Sequence, residues 1–115
     1  MVTYHAARLD LSDDEVDRIF QALADATRRD IVRRTLGEEF SISRLAAEYD
    51  MSFAAVQKHV TVLQRAGLVT KHSSGRERLV RGNPDAISRA QQLLGHYEQI
   101  WRSRIDRLDA LLEQD

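Results

Sequence analysis

Cysteine does not occur in the 115-residue sequence. Its absence excludes disulfide staples, thiolate metal sites and thiol redox sensing, and it fits a cytoplasmic protein. Proline appears once and glycine five times, so few points force regular structure to stop. No apolar run exceeds a few residues, and none is long enough to cross a membrane as a helix. The opening residues MVTYHAARLDLSDDE lack the basic start and apolar stretch of a secretory signal. Glycine-rich phosphate loops and nucleophile-elbow motifs are missing as well. Asp13, Asp14 and Glu15 suit the positive end of a helix better than a catalytic pair. An enzyme is therefore not expected.

A large excess of charge is also missing, the net value being −1. The distribution is uneven all the same. From Ser52 to Gly82 the chain carries Lys58, Arg65, Lys71, Arg76, Arg78 and Arg81 against Glu77 alone, while the flanking segments are acidic or balanced. One contiguous basic segment between acidic flanks is the electrostatic footprint of a small DNA-binding module. Each arginine taken alone fits a solvated surface charge equally well.

Hydrophobic spacing supplies the architecture. Ser12 with Glu15 three residues on forms a capping box, followed by Val16, Ile19, Phe20 and Leu23 at helical spacing. Asp25 or Thr27 caps a second helix carrying Ile31, Val32 and Leu36. Ser41 caps a short third with Ile42, Leu45 and Ala46 inward. Ser52 caps a fourth, with Ala55, Val56, His59, Val60, Leu63 and Ala66 inward and Gly67 as the stop. LVTKHS and RERLVR then read as two strands around Ser74-Gly75. Pro84, after Asn83 as cap, opens a long last helix through Leu112. The expected fold is mainly α with a small β-hairpin, in the order α-α-α-α-β-β-α. Helices three and four, joined by a short turn, make a helix-turn-helix over 41–66, and the basic hairpin at 68–81 is its wing. Residues 1–115 form a single domain.

The fourth helix shows what that fold would do. With its apolar stripe inward, Phe53, Ala54, Gln57, Lys58, Thr61 and Arg65 face out, and this mixture suits the major groove. Gln57 can pair with an adenine edge, while Phe53 and the Thr61 methyl can touch thymine methyls. Lys58 and Arg65 suit phosphates or guanine, and the cap Ser52 suits a phosphate. Arg76 and Arg78 on the wing can follow the backbone or enter a narrow minor groove. His59, close to the core stripe, reads from the residues alone as a packed histidine.

The stretches ALADATRRDIVRRTL, ISRLAAEYDMSFAAVQKHVTVLQRAGLV and SSGRERLVR resemble the ArsR-type winged-helix repressors over about Ile19 to Asn83. The tail LLGHYEQIWRSRIDRLDALL resembles the branch with an aromatic-rich last helix, which often lacks metal sites and includes autorepressors. The resemblance implies a homodimer on a palindromic operator. Carried over by position, its DNA contacts are Ser52, Phe53, Ala54, Gln57, Lys58 and His59, with Arg76 and Arg78 in the wing. Many relatives have serine where this chain has Gln57, which bears on the operator sequence.

Leu94, Tyr97, Trp101, Ile105, Leu108 and Leu112 recur every three or four residues along the last helix. Together with Val16, Ile19 and Phe20 they propose more apolar surface than one small core can cover. The helices within 1–24 and 84–115 are therefore expected to dimerise. No cofactor is expected, and an unidentified small-molecule effector near Tyr97 and Trp101 is a candidate inducer. Two alternatives stay open: a winged helix used for protein–protein interaction, and a metal-responsive repressor with a histidine and carboxylate site. His5, His59, His72 and His96 are scattered, which disfavours the second.

Overall fold

The computed structural model describes residues 12–113. Helix α1 spans Asp13–Leu23, α2 Ala26–Gly37, α3 Ile42–Ala47, α4 Phe53–Arg65 and α5 Pro84–Glu113. Strand β1 is Phe40–Ser41, β2 is Val69–Ser74 and β3 is Glu77–Gly82. The region expected at 1–24 is thus seen from Ser12 onward, and residues 1–11 and His5 lie outside the described residues. Among the described residues no helix is long and apolar enough to cross a membrane.

Local chemistry explains each boundary. Ser12 Oγ accepts from the Glu15 N–H at 3.1 Å, and Glu15 Oε1 lies 3.4 Å from the Ser12 N–H, which completes the capping box of α1. Asp25 caps α2 by accepting from the Arg28 N–H at 3.0 Å. Ser41 and Ser52 cap α3 and α4 in the same way, each at 3.1 Å. At the end of α4 the chain reverses through Gly67, at φ +77°, and the Leu68 N–H donates to the Leu63 carbonyl at 2.9 Å. Only a residue tolerant of positive φ closes the helix this way. The two-residue turn Gly75-Arg76 joins Ser74 to its partner Glu77.

The sheet has three strands in the order β1-β3-β2, all antiparallel. This corrects the simple hairpin. Phe40 pairs with Val80 and Ser41 with Leu79, so a two-residue strand completes the wing's inner edge. Two residues carry no periodicity from which a strand can be inferred.

Ile19, Ala22, Ile31, Leu45, Val56, Val60, Leu63, Leu68 and Val80 form the centre of the core. Burying each of the larger side chains contributes about 1.5–3 kcal/mol. Two expectations about inward faces are corrected. Leu36 is 45% exposed, and Thr35 is buried in its place, its hydroxyl donating to the Ile31 carbonyl at 2.8 Å. The face of α2 set by Ile31 turns Thr35 inward and leaves Leu36 at the rim against Gly82. A Cβ at Gly82 would come within 2.8 Å of Leu36, so the strand approaches the helix closely there. Ile19, expected at a subunit interface, is 3% exposed and belongs to the core of its own protomer.

Helix α5 divides in two. Ala86, Ala90 and Leu93 are buried against the domain. Every residue from Tyr97 to Glu113 is exposed. The molecule measures 70 × 26 × 20 Å, in keeping with a 30-residue helix that runs well past the body it starts from.

Candidate nucleic-acid interface

Helix α4 keeps Val56, Val60 and Leu63 fully buried, which fixes its opposite face outward. Ser52, Phe53, Ala54, Gln57 and Lys58 are all exposed. Phe53 is 49% exposed. Thr61 is half-buried and its hydroxyl donates to the Gln57 carbonyl at 3.0 Å, leaving the methyl group as its free contact.

His59 is placed differently. Its Nδ1 lies 3.3 Å from Arg28 Nη1 and 4.0 Å from Asp25 Oδ2, with the side chain 21% exposed. The histidine is turned to the start of α2, as the spacing of the residues implied, and does not join the outward set that the resemblance assigned it to.

The wing comes round to the same side. Gly75 sits at φ +62° in the tip, next to Arg76. Among the described residues Arg76 and Arg78 have no ion-pair partner, whereas Arg81 and His72 both reach Glu39, at 3.2 and 2.8 Å. The base of the wing is thus tied down and its tip carries two uncommitted guanidinium groups. Between tip and helix runs an open groove of about 470 Å³, lined by Ser41, Ile42 and Ser43 at the start of α3, Phe53 and Gln57 of α4, and Lys71, Arg76, Glu77 and Arg78 of the wing. The groove brings together residues twenty or more positions apart in sequence. Sequence reasoning missed Ser43 altogether and gave Ser41 and Ile42 only cap and core roles: their place in the groove depends on how α3 packs against α4, which no local pattern marks.

The helices behind the groove are held by the segment DATRRD. Arg28 Nε and Nη2 donate to the carbonyls of Ala22 and Gln21, at 2.8 and 3.0 Å, and Arg29 Nη1 donates to Leu23 at 2.8 Å. These two arginines satisfy the last carbonyls of α1 while Asp25 satisfies the first N–H groups of α2. The Arg28 backbone N–H is the main reason the Asp25 carboxyl is held below its ordinary range. Asp30 accepts from the Tyr49 hydroxyl at 2.6 Å and from Arg34 and Arg33. Those donors, the tyrosine first, hold its carboxyl well below the usual carboxylate range. Burial, with Asp30 beside it, pushes the Tyr49 hydroxyl up to about 12. The pair ties α2 to the turn that follows α3 and leads into α4.

Away from the groove, Leu94, Tyr97, Trp101, Ile105, Leu108 and Leu112 are exposed along α5, Trp101 at 58% and Leu112 at 77%. Phe20 and Leu23 are partly buried against the core, and Val16 is half-buried. A shallow depression of about 470 Å³ on α5 is lined by Glu98, Trp101, Arg102, Ile105 and Asp106 and does not include Tyr97. The described residues gather no group of three or more His, Asp or Glu placed to hold a metal ion.

Comparison with known proteins agrees with this geometry. A family model described as a helix-turn-helix domain matches residues 23–72. The HTH-type transcriptional regulator Rv2034 of Mycobacterium tuberculosis is 38% identical over 72 residues, covering 63% of this chain and 67% of that protein. The crystal structure of an ArsR family transcriptional regulator, RHA00566, superposes with a TM-score of 0.74 at 30% identity, covering 78% of this chain and 93% of that one. A homodimeric winged helix-turn-helix DNA-binding domain from Mycobacterium bovis, solved by NMR, superposes with a TM-score of 0.62 at 21% identity, covering 75% and 81%.

Proposed function

Since the chain belongs to the ArsR family of winged helix-turn-helix proteins and is a DNA-binding transcriptional regulator, we propose that it acts as a homodimeric repressor. Its operator is palindromic and includes the promoter of its own gene. The observation that carries the reading is the groove between α4 and the wing, where Gln57 and Phe53 on one wall face Lys71, Arg76 and Arg78 on the other.

In this reading α4 enters the major groove with its N-terminal turns leading. Gln57, Phe53, Ala54 and the Thr61 methyl meet base edges, Lys58 and Ser52 meet phosphates, and the wing tip follows the backbone beyond. His59 acts from behind, through its contact with Arg28. The distal half of α5 packs against the same segment of a second copy, through Leu94, Tyr97, Trp101, Ile105, Leu108 and Leu112. The Mycobacterium bovis domain is itself homodimeric, which supports this pairing. Val16 and Phe20 border the interface, and Ile19 stays in the protomer core. Two linked copies present two recognition helices to half-sites about one helical turn apart. The protein works in the cytoplasm, carries out no catalysis and needs no metal to bind.

Selection of bound duplexes from a random-sequence pool tests the proposal. The expected product is an inverted repeat with half-sites about 10 base pairs apart. Enrichment of a single unrepeated site would contradict the dimeric reading, and absence of any enriched sequence would favour a protein-interaction role for the same fold.

A further inference from the structure

A second cavity, of about 320 Å³, opens where α1, the C-terminal end of α4 and the start of α5 meet. Its walls carry three guanidinium groups from three different elements: Arg18 of α1, Arg65 of α4 and Arg89 of α5. Glu15 and Asp85 share the lining. Glu15 is already engaged on both sides, one oxygen with Ser12 and the other with Arg89 Nη1 at 3.3 Å. Among the described residues Arg18 and Arg65 have neither an ion-pair nor a hydrogen-bond partner. The cavity therefore gathers a net positive charge with two of its three cations uncommitted.

The DNA-facing groove does not account for this cluster. Arg65, expected from the sequence to meet phosphate or guanine, lies at the far end of α4 from Phe53 and Gln57 and lines this cavity and not that groove, and Arg18 and Arg89 belong to other helices. Glu15 and Asp85 offset part of the repulsion among the three guanidinium groups, and a bound anion between the unpaired Arg18 and Arg65 would offset the rest. The guanidinium fork matches the oxygens of phosphate and carboxylate in particular. The volume lies at the lower end of the range for ligand sites, so the partner must be compact.

We propose that this cavity binds a small oxyanion bearing at least two negative charges, of the phosphate-monoester or dicarboxylate class, held by Arg18, Arg65 and Arg89. The bound anion bridges the end of α4 to α5, which carries the expected dimer seam, and to α1, which borders it. Its occupancy is thereby coupled to the pose in which α4 meets DNA. The coupling rests on the DNA-binding reading given above, whereas the binding itself does not.

Thermal unfolding of the full chain, with inorganic phosphate or malonate added against potassium chloride at matched ionic strength, tests the site. At about 20 mM, phosphate, malonate or both raise Tm by roughly 3 °C or more over the chloride control. Response to phosphate alone assigns the ester class, and response to malonate alone assigns the dicarboxylate class. Arg18→Gln and Arg65→Gln, each on an exposed side chain, keep the unliganded Tm and lose the shift. Equal Tm in all salts overturns the site, as does a full shift retained in both variants. Operator titrations at matched ionic strength then test the coupling. Phosphate or malonate changes Kd about fivefold or more in the wild type and not in Arg18→Gln. An unchanged Kd beside an intact Tm shift overturns the coupling alone, and a protein that shifts in Tm but binds no operator overturns the DNA reading and leaves the anion site standing.

Discussion

Helix α4 and the distal half of α5 both put large apolar side chains into solvent, and they do so in opposite company. On α4 a single ring, Phe53, stands among Ser52, Gln57 and Lys58 and faces the cationic wing. On α5 eight large apolar residues are exposed from Leu94 to Leu112, and the charges beside them, Arg102, Arg104 and Arg107 against Glu98, Asp106 and Asp109, cancel. An isolated apolar group within a basic, hydrogen-bonding surface matches a DNA groove. A continuous apolar seam with balanced charge matches a second copy of itself. The difference lies in what surrounds the exposed carbon, since its amount alone does not separate the two roles.

The largest expected effect comes from breaking the α5 side of this contrast. Trp101→Asp combined with Leu108→Asp places charge on the seam without touching the protomer core. The variant is expected to be folded by circular dichroism and monomeric at micromolar concentration by analytical ultracentrifugation. Operator affinity should fall by about 100-fold or more, because two half-sites are no longer bound by linked helices. A dimer that survives both aspartates would show that the seam is not the subunit interface.

Leu93 lies one position before the seam begins and is 5% exposed. Leu93→Ala should destabilise the protomer by about 2–5 kcal/mol in urea titrations, with little change in self-association. Leu108→Ala should do the reverse, so the pair sharpens the boundary between the two halves of α5.

On the α4 side the expected effects are smaller and differ in kind. Gln57→Ala should cost about 1–3 kcal/mol on the preferred operator and reduce discrimination at one base pair per half-site. Arg76→Ala and Arg78→Ala should each weaken all sequences alike and reduce the salt slope by about 1 for every phosphate no longer neutralised. Equal loss of discrimination from all three variants would overturn the division of labour between helix and wing.

The smallest effect is a titration. Tyr49 holds its proton to about pH 12 in the folded protein because it is partly buried and donates to Asp30. A raised folded value means that its contribution is complete below about pH 10, the value for an unfolded tyrosine. It is then lost as pH rises from there toward 12. Wild-type stability should therefore decline across that window, and Tyr49→Phe should flatten the decline. Asp30 works with the opposite sign: its lowered value gives stability that is present above the ordinary aspartate range and is lost in strong acid. An alkaline decline identical in the two proteins would show that the Tyr49–Asp30 pair does not stabilise the fold.

Most of the fold was legible in the sequence because its signals are local. The Ser12, Asp25, Ser41 and Ser52 caps and the Gly67 stop each act within four residues, and all lie where the spacing places them. Strand β1 was not legible, since its two residues gain their identity only from β3, forty positions on. The exchange of Leu36 for Thr35 has a similar origin: the helix phase set by Ile31 decided it, against side-chain polarity. The outward set on α4 followed from its buried stripe. The grouping of Arg18, Arg65 and Arg89 could not, because no spacing rule connects one side chain from each of three helices.

The most direct test of dimeric, metal-independent operator binding is a titration of the protein against the duplex upstream of its own gene. A scrambled duplex runs alongside, at two salt concentrations and with and without zinc. The expected result is binding as a dimer that prefers the upstream site, weakens steeply with salt and ignores zinc. Equal, salt-insensitive binding to both duplexes would contradict that function, and a requirement for zinc would contradict metal independence.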